Sequence, residues 1–212
     1  GVALARRHGL RMQTHLDEQR AEKRLIEEVL YPDAGSYTAV YARDGLLDCE
    51  PILAHCIHVR PEEVDAVAAT RSAIAHCPVS NTLLGSGVMP LDTIRRAGIP
   101  HCLCTDVGAS PTTSLFCEMA QFLKVHAGST TAASPEEALR LVTIEPARIL
   151  GLADRLGTFA PGLEWSFIEV ATDVSSVPAT ARDAILGGLL RMTEADLEAW
   201  RREDDPRAMA MR

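Results

Sequence analysis

Four short strand-like runs in this chain each end on a residue that can bind a metal ion or move a proton. The run 10–14 leads to His15, the run 52–54 to His55, the run 73–75 to His76 and the run 102–105 to Asp106. Histidine nitrogens together with a carboxylate oxygen are ligand types for zinc or iron. A single His after an apolar run is more often a hydrogen-bonded structural residue, and a single Asp there is more often a helix cap. The four endings come in order, and each interval between them is long enough for one strand–helix unit. That joint pattern points to a shared site that can hold a metal ion or move protons.

Such a site needs a scaffold that gathers strand ends. Short apolar runs alternate here with amphipathic stretches. A charged helix is expected over 18–30. Pro61 with Glu62 and Glu63 marks another start, because proline suits the first helical turn and acids suit the helix dipole. Further helices are expected over 90–97 and 113–127, with a Gly85-Ser86-Gly87 loop before the first of them. Alternating strands and helices imply a parallel sheet with right-handed crossovers, and the C-terminal ends of barrel strands face one active site. Residues 1–9 read as the tail of a helix that stops at Gly9. Ser134-Pro135-Glu136-Glu137 is a capping box that opens a helix to about 144, and Gly151 caps another turn. A strand is expected over 166–171 and a last helix from Thr193.

Composition narrows the function classes. The 212 residues are 47% hydrophobic and 24% charged, an ordinary globular balance. A net charge of −8 argues against a nucleic-acid partner, because phosphate binding wants a basic surface. No apolar run approaches the roughly 20 residues that a membrane span needs. The six cysteines form no Cys-x-x-Cys pair, so they read as reduced thiols in a cytoplasmic protein rather than as a zinc ribbon. Cys102 and Cys104, two apart on an expected strand, share one face and read as core.

The motifs around the four endings carry a family resemblance. Gln13-Thr14-His15-Leu16-Asp17-Glu18 looks like the Gln-Thr-His-x-x-Glu segment of amidohydrolases of the guanine deaminase and triazine hydrolase group. Ala54-His55-Cys56, Ala75-His76-Cys77-Pro78 with Ser80-Asn81, and Thr105-Asp106-Val107-Gly108 resemble its next three strand ends. Leu84-Gly85-Ser86-Gly87 fits the same group. Leu30-Tyr31-Pro32 with Tyr37-Thr38-Ala39-Val40-Tyr41 is similar to a stretch typical of the guanine-specific members.

The resemblance implies an α/β fold: the C-terminal half of a (β/α)8 TIM-like barrel, strands five to eight, over 1–152. Part of a small β-domain would follow at 153–175 and a C-terminal helical segment at 176–212. It implies one divalent metal, zinc ahead of iron, held by His15 and Asp106. Asp106 would also take a proton from the bound water, Glu18 would shuttle a proton to the purine ring, and His55 would contact the hydroxide or the departing group. His76 and Asn81 would bind substrate or support the site. The implied reaction is hydrolytic deamination of guanine to xanthine and ammonia, in a cytoplasmic homodimer with no nucleic-acid or membrane partner.

There are departures. The family's first-strand His-x-His pair has no match here, so the chain is expected to be a fragment that is inactive by itself. Cys104 stands where the family has Gly, and Leu163-Glu164-Trp165-Ser166 where it has Lys-x-Ala-Asp. Two alternatives stay open: an amidohydrolase of another aminated heterocycle (8-oxoguanine, a pterin or a triazine), or a non-catalytic truncated half-barrel.

Overall fold

The computed structural model describes residues 1–168, 180, 183–185 and 187–189. Its sheet has four strands in chain order: β1 (Gln13–Leu16), β2 (Ile52–His55), β3 (Ala73–His76) and β4 (His101–Leu103). β1 pairs in parallel with β2, and β2 with β3. Parallel neighbours need crossover connections, and the alternating helices supply them. All four residues of β3 are buried, as expected of a strand covered on both faces. β1 begins and ends later than the run 10–14, so His15 lies within the strand. β4 is shorter than expected and stops at Leu103; Cys104 therefore lies beyond the strand and is only partly buried.

α1 (Val2–His8) ends at Gly9, whose φ of 61° is the left-handed conformation that closes a helix. α2 (Arg20–Arg24) continues as a π-helical segment (Leu25–Leu30), where the Tyr31 N–H donates to the Ile26 carbonyl five residues back at 2.8 Å. The helix expected over 18–30 is therefore present but changes pitch midway. α3 (Tyr37–Arg43) is capped by Ser36, whose hydroxyl accepts from the Ala39 N–H at 2.9 Å. A 3₁₀ turn (Leu47–Cys49) precedes β2, and α4 (Pro61–Ala68) starts at its proline. α5 (Pro78–Leu83) occupies a stretch where the sequence suggests only loop. α6 (Leu91–Arg96), α7 (Leu115–Val125), α8 (Pro135–Val142) and α9 (Ile144–Ile149) follow. Ser134 caps α8 by accepting from the Glu137 N–H at 3.1 Å. The helix breaks at Thr143, at φ −124° and ψ −86°, instead of running on to 144. Residues 166–168 form no strand. The rest of that expected strand and the helix from Thr193 lie outside the described residues.

The chain forms two compact units: Gly1–His76 with Asn81–Cys102, and Cys77–Ser80 with the chain from Leu103 onward. The first unit buries Leu16, Leu53 and Ile74 from the sheet, Val64 and Val67 from α4, and Leu91 and Ile94 from α6. Each such side chain contributes about 1.5–3 kcal/mol of burial free energy. The second unit buries Met119 and Phe122 of α7, Leu141 of α8 and Ile149 of α9; α7 packs on α8, and α8 on α9. All six cysteines are free thiols. Among the described residues no helix is long and apolar enough to cross a membrane.

Candidate active site

β1 and β2 bring two imidazoles to one end of the sheet. His15 stands opposite Ala54 and Leu16 opposite His55, so the two histidines are one register step apart. Their rings stack with centroids 5.0 Å apart and planes 23° from parallel. The backbone turns sharply here: Asp17, His55 and Cys56 adopt φ of 52°, 73° and 49°. A left-handed residue with a Cβ costs about 1–3 kcal/mol and persists only where neighbours impose it. Those neighbours are present. The Cys56 N–H donates to the Leu16 carbonyl at 3.0 Å, and the Ile57 and His58 N–H groups both donate to the Asp17 carbonyl, at 3.1 and 2.9 Å. Ala54 pairs with Ala75, so His76, buried at the end of β3, lies at the same end of the sheet as His15 and His55.

His55 is fully buried and oriented by Asn81, whose Oδ1 lies 2.8 Å from Nδ1. An amide oxygen only accepts, so Nδ1 carries a proton, and in the neutral ring Nε2 keeps its lone pair. That Nε2 is buried and has no hydrogen-bond partner. Its nearest charged neighbour is Glu18 Oε2, at 3.7 Å. The other Glu18 oxygen, Oε1, accepts the Ser86 hydroxyl at 2.8 Å. Gln19 Nε2 donates to the same Ser86 Oγ at 2.5 Å, and His58 Nε2 donates to the Ser86 carbonyl at 2.9 Å. Burial holds His58 below its usual pKa, so it stays a neutral donor although the Ser86 bond works the other way. A buried imidazole nitrogen with a free lone pair, stacked on a second imidazole, fits a divalent transition metal and its reactive water.

A second cluster lies next to this one in the chain. Lys23 Nζ reaches Asp17 at 2.7 Å, Glu63 at 2.6 Å and Glu27 at 3.3 Å. The three carboxylates are close enough to chelate a cation, and the Lys23 ammonium fills that role. Burial pushes Asp17 up to about 7, against the pull of Lys23. Burial works the same way on Glu63, but the bond and charge of Lys23 and the N–H groups of Arg60 and Thr38 together outweigh it and hold the carboxyl below its ordinary value. Burial would lower Lys23, yet its bonds to Asp17 and Glu63 hold it above the ordinary value. The sequence offers no signal for this group, since its members come from three separate elements.

The tyrosine stretch has a structural role. Tyr41 donates to the His15 carbonyl at 2.9 Å and lies 3.1 Å from Thr14 Oγ1 and 3.2 Å from the Tyr37 hydroxyl. Tyr37 in turn donates to Glu22 at 3.0 Å. The four-residue spacing of Tyr37 and Tyr41 places them on one helix face, a signal legible in the sequence.

In the second unit Asp106 stands three residues past β4, with φ 53° and with its carbonyl accepting from the Ala109 and Ser110 N–H groups at 3.1 and 2.9 Å. Glu118 of α7 is fully buried there; one oxygen accepts from the Val79 N–H at 3.0 Å and the other has no partner. Burial pushes its carboxyl up to about 8. Sequence reasoning passes over Glu118 because its helix reads simply as amphipathic.

Residues 2–200 match the model of the amidohydrolase family. A probable guanine deaminase of Deinococcus radiodurans is 36% identical over 174 residues, which are 81% of this chain and 39% of that protein. The solved guanine deaminase of E. coli superposes with a TM-score of 0.81 at 31% identity, covering 88% of this chain and 45% of that one. The C. acetobutylicum guanine deaminase, solved with guanine in its active site, superposes with a TM-score of 0.70 at 29% identity, covering 76% of this chain and 39% of that one. The chain thus spans less than half the length of each of these proteins.

Proposed function

We propose that this chain, which belongs to the amidohydrolase family, serves the metal-dependent hydrolysis of guanine to xanthine and ammonia. One observation carries the reading: the Glu18 carboxylate is held 3.7 Å from a buried, unpartnered His55 Nε2 at the end of a parallel sheet. Guanine deaminases among the similar proteins supply the substrate. In this reading β1 to β4 are strands five to eight of the barrel over 1–152; the end of the small β-domain expected at 153–175 and most of the helical segment expected at 176–212 lie outside the described residues. Zinc is the metal, His15 and Asp106 hold it, and the enzyme works in the cytosol as a homodimer. Six free thiols suit a reducing compartment.

When bound, the metal supplies water activated near pH 7. The protein's own residues do the rest. Water oxygen adds to the ring carbon that bears the amine, and the water proton goes to Asp106. Glu18 Oε2 delivers a proton to the ring nitrogen, since its other oxygen is already engaged by Ser86. Asp106 then passes the water proton to the amine, the carbon–nitrogen bond breaks and ammonia leaves, and the remaining hydroxyl proton returns to Glu18 as the carbonyl forms. His55 Nε2 accepts a hydrogen bond from the attacking or departing group, and Asn81 holds its ring. His76 and Asn81 support the site from the end of β3 and from α5.

The test is xanthine and ammonia formation from guanine by the metal-replete enzyme, beside 8-oxoguanine, a pterin and a triazine. Guanine should turn over fastest. His15→Ala should lose metal and activity together. A variant that keeps a full complement of metal would remove His15 from the ligand set, and faster turnover of another substrate would replace guanine.

A further inference from the structure

The loop after α5 holds Glu18 through a single side chain. Ser86 is almost fully buried, and its hydroxyl donates to Glu18 Oε1 at 2.8 Å. Three further bonds fix Ser86 itself: Gln19 Nε2 donates to its Oγ at 2.5 Å, its N–H donates to the Asn81 carbonyl at 2.9 Å, and its carbonyl accepts from His58 Nε2 at 2.9 Å. An amide N–H entering Oγ leaves the hydroxyl proton directed at the carboxylate. Gly87 follows at φ 124°, and a Cβ there would meet Ile57 Cγ2 at 3.0 Å, so the loop is packed tightly behind Ser86. Asn81, which orients His55, stands in α5 just ahead of this loop.

We propose that Ser86 is a positioning residue for the deamination reaction. Its hydroxyl locks Glu18 Oε1, so that Oε2 alone carries the travelling proton and stays aimed at His55 Nε2. The proposal rests on the functional reading above and adds a residue to it. Ser86 touches neither substrate nor metal; it acts through Glu18. A carboxylate released from this bond samples several rotamers, and the productive one becomes a minority. Glu18 reaches the reacting atoms only in that rotamer, so the loss falls on the proton-transfer step and spares substrate and metal binding.

The experiment compares Ser86→Ala and Ser86→Thr with the parent in the enzyme that carries this chain. Ser86→Ala should lower kcat for guanine about tenfold to a hundredfold, the weight of one hydrogen bond to a charged group. KM should stay within about twofold, because substrate binding is untouched. Metal content and melting temperature should match the parent. Ser86→Thr keeps the hydroxyl and should recover most of kcat. A crystal structure of Ser86→Ala should show Glu18 Oε2 withdrawn from its place beside His55. Parent-like kcat in Ser86→Ala, or an unmoved Glu18 in its crystal structure, overturns the proposal. A loss accompanied by depleted metal or a lower melting temperature does so too, because it makes Ser86 a structural residue. If the parent releases no ammonia from guanine, it is the functional reading that fails, and the crystallographic comparison still decides the role of Ser86.

Discussion

Replacing Lys23 by Met tests whether the carboxylate cluster is held together by one ammonium. Lys23 Nζ lies 2.7 Å from Asp17 and 2.6 Å from Glu63, whose side chains are 0% and 1% exposed. Methionine follows the lysine chain as far as Cε and removes the ammonium, so the change deletes the pairing and little packing with it. Asp17 then loses its counter-ion, and Glu63 keeps only Arg60 Nε, at 3.4 Å. Breaking one side of a buried pair costs about 3–5 kcal/mol, because the remaining charge is left unsolvated. For a chain of this size each kcal/mol corresponds to roughly 2–4 °C, so the melting temperature should fall by about 6–20 °C. The loss should grow with pH. Without Lys23 the Asp17 carboxyl rises above its value of about 7, so the folded variant holds a proton that the unfolded chain gives up above 3.8, and the penalty grows as pH climbs from 5 to 8. Urea denaturation at the two pH values measures this. Arg6→Ala serves as the control: its partner Asp48 and Arg6 itself are 70% and 52% exposed, and a surface pair contributes about 0–1 kcal/mol. A Lys23→Met loss below about 1 kcal/mol, or one equal at both pH values, would refute the argument.

Three further outcomes are expected. Glu18→Gln should keep the metal and lower guanine turnover at least a hundredfold, the lower end of the usual acid–base contribution; near-normal turnover with a slightly lower melting temperature would make Glu18 a helix-start residue only. Tyr41→Phe should cost about 0.5–1.5 kcal/mol in urea denaturation, the worth of the bond to the His15 carbonyl, and an unchanged midpoint would show that water replaces it. Glu118→Gln should become more stabilising as pH rises. Burial raises the folded carboxyl from 4.5 to about 8, so the native state holds its proton while the unfolded chain gives it up. That contribution is fully present below pH 4.5 and is lost as pH climbs through 8, and glutamine has no such loss. A stability gap between parent and variant that is flat from pH 5 to pH 8 would show that Glu118 is not protonated in the folded protein.

The order of the chemistry was written in the chain. His15, His55 and His76 each close a strand-like run, and the structure puts all three at one end of a parallel sheet. Helix starts at Pro61 and Ser134 were equally legible, because proline at the first turn and a serine cap are local signals. The apolar runs were less informative about strand limits: β1 starts late and β4 stops early, since pairing with a neighbour, and not hydropathy, decides where a strand ends. The π-helical pitch of 25–30 has no sequence signature here.

What sets the two side chains proposed as catalytic is not local at all. His55 is oriented by Asn81, 26 residues away, and Glu18 by Ser86, 68 residues away. Lys23 meets Glu63 across 40 residues. The residue types at strand ends determine which chemistry is possible, because a side chain's ligand or proton capacity travels with its identity. Strand register and the path of the loop after α5 decide which oxygen of Glu18 is held and which nitrogen of His55 is left open, because hydrogen bonds depend on distances that only the folded chain sets.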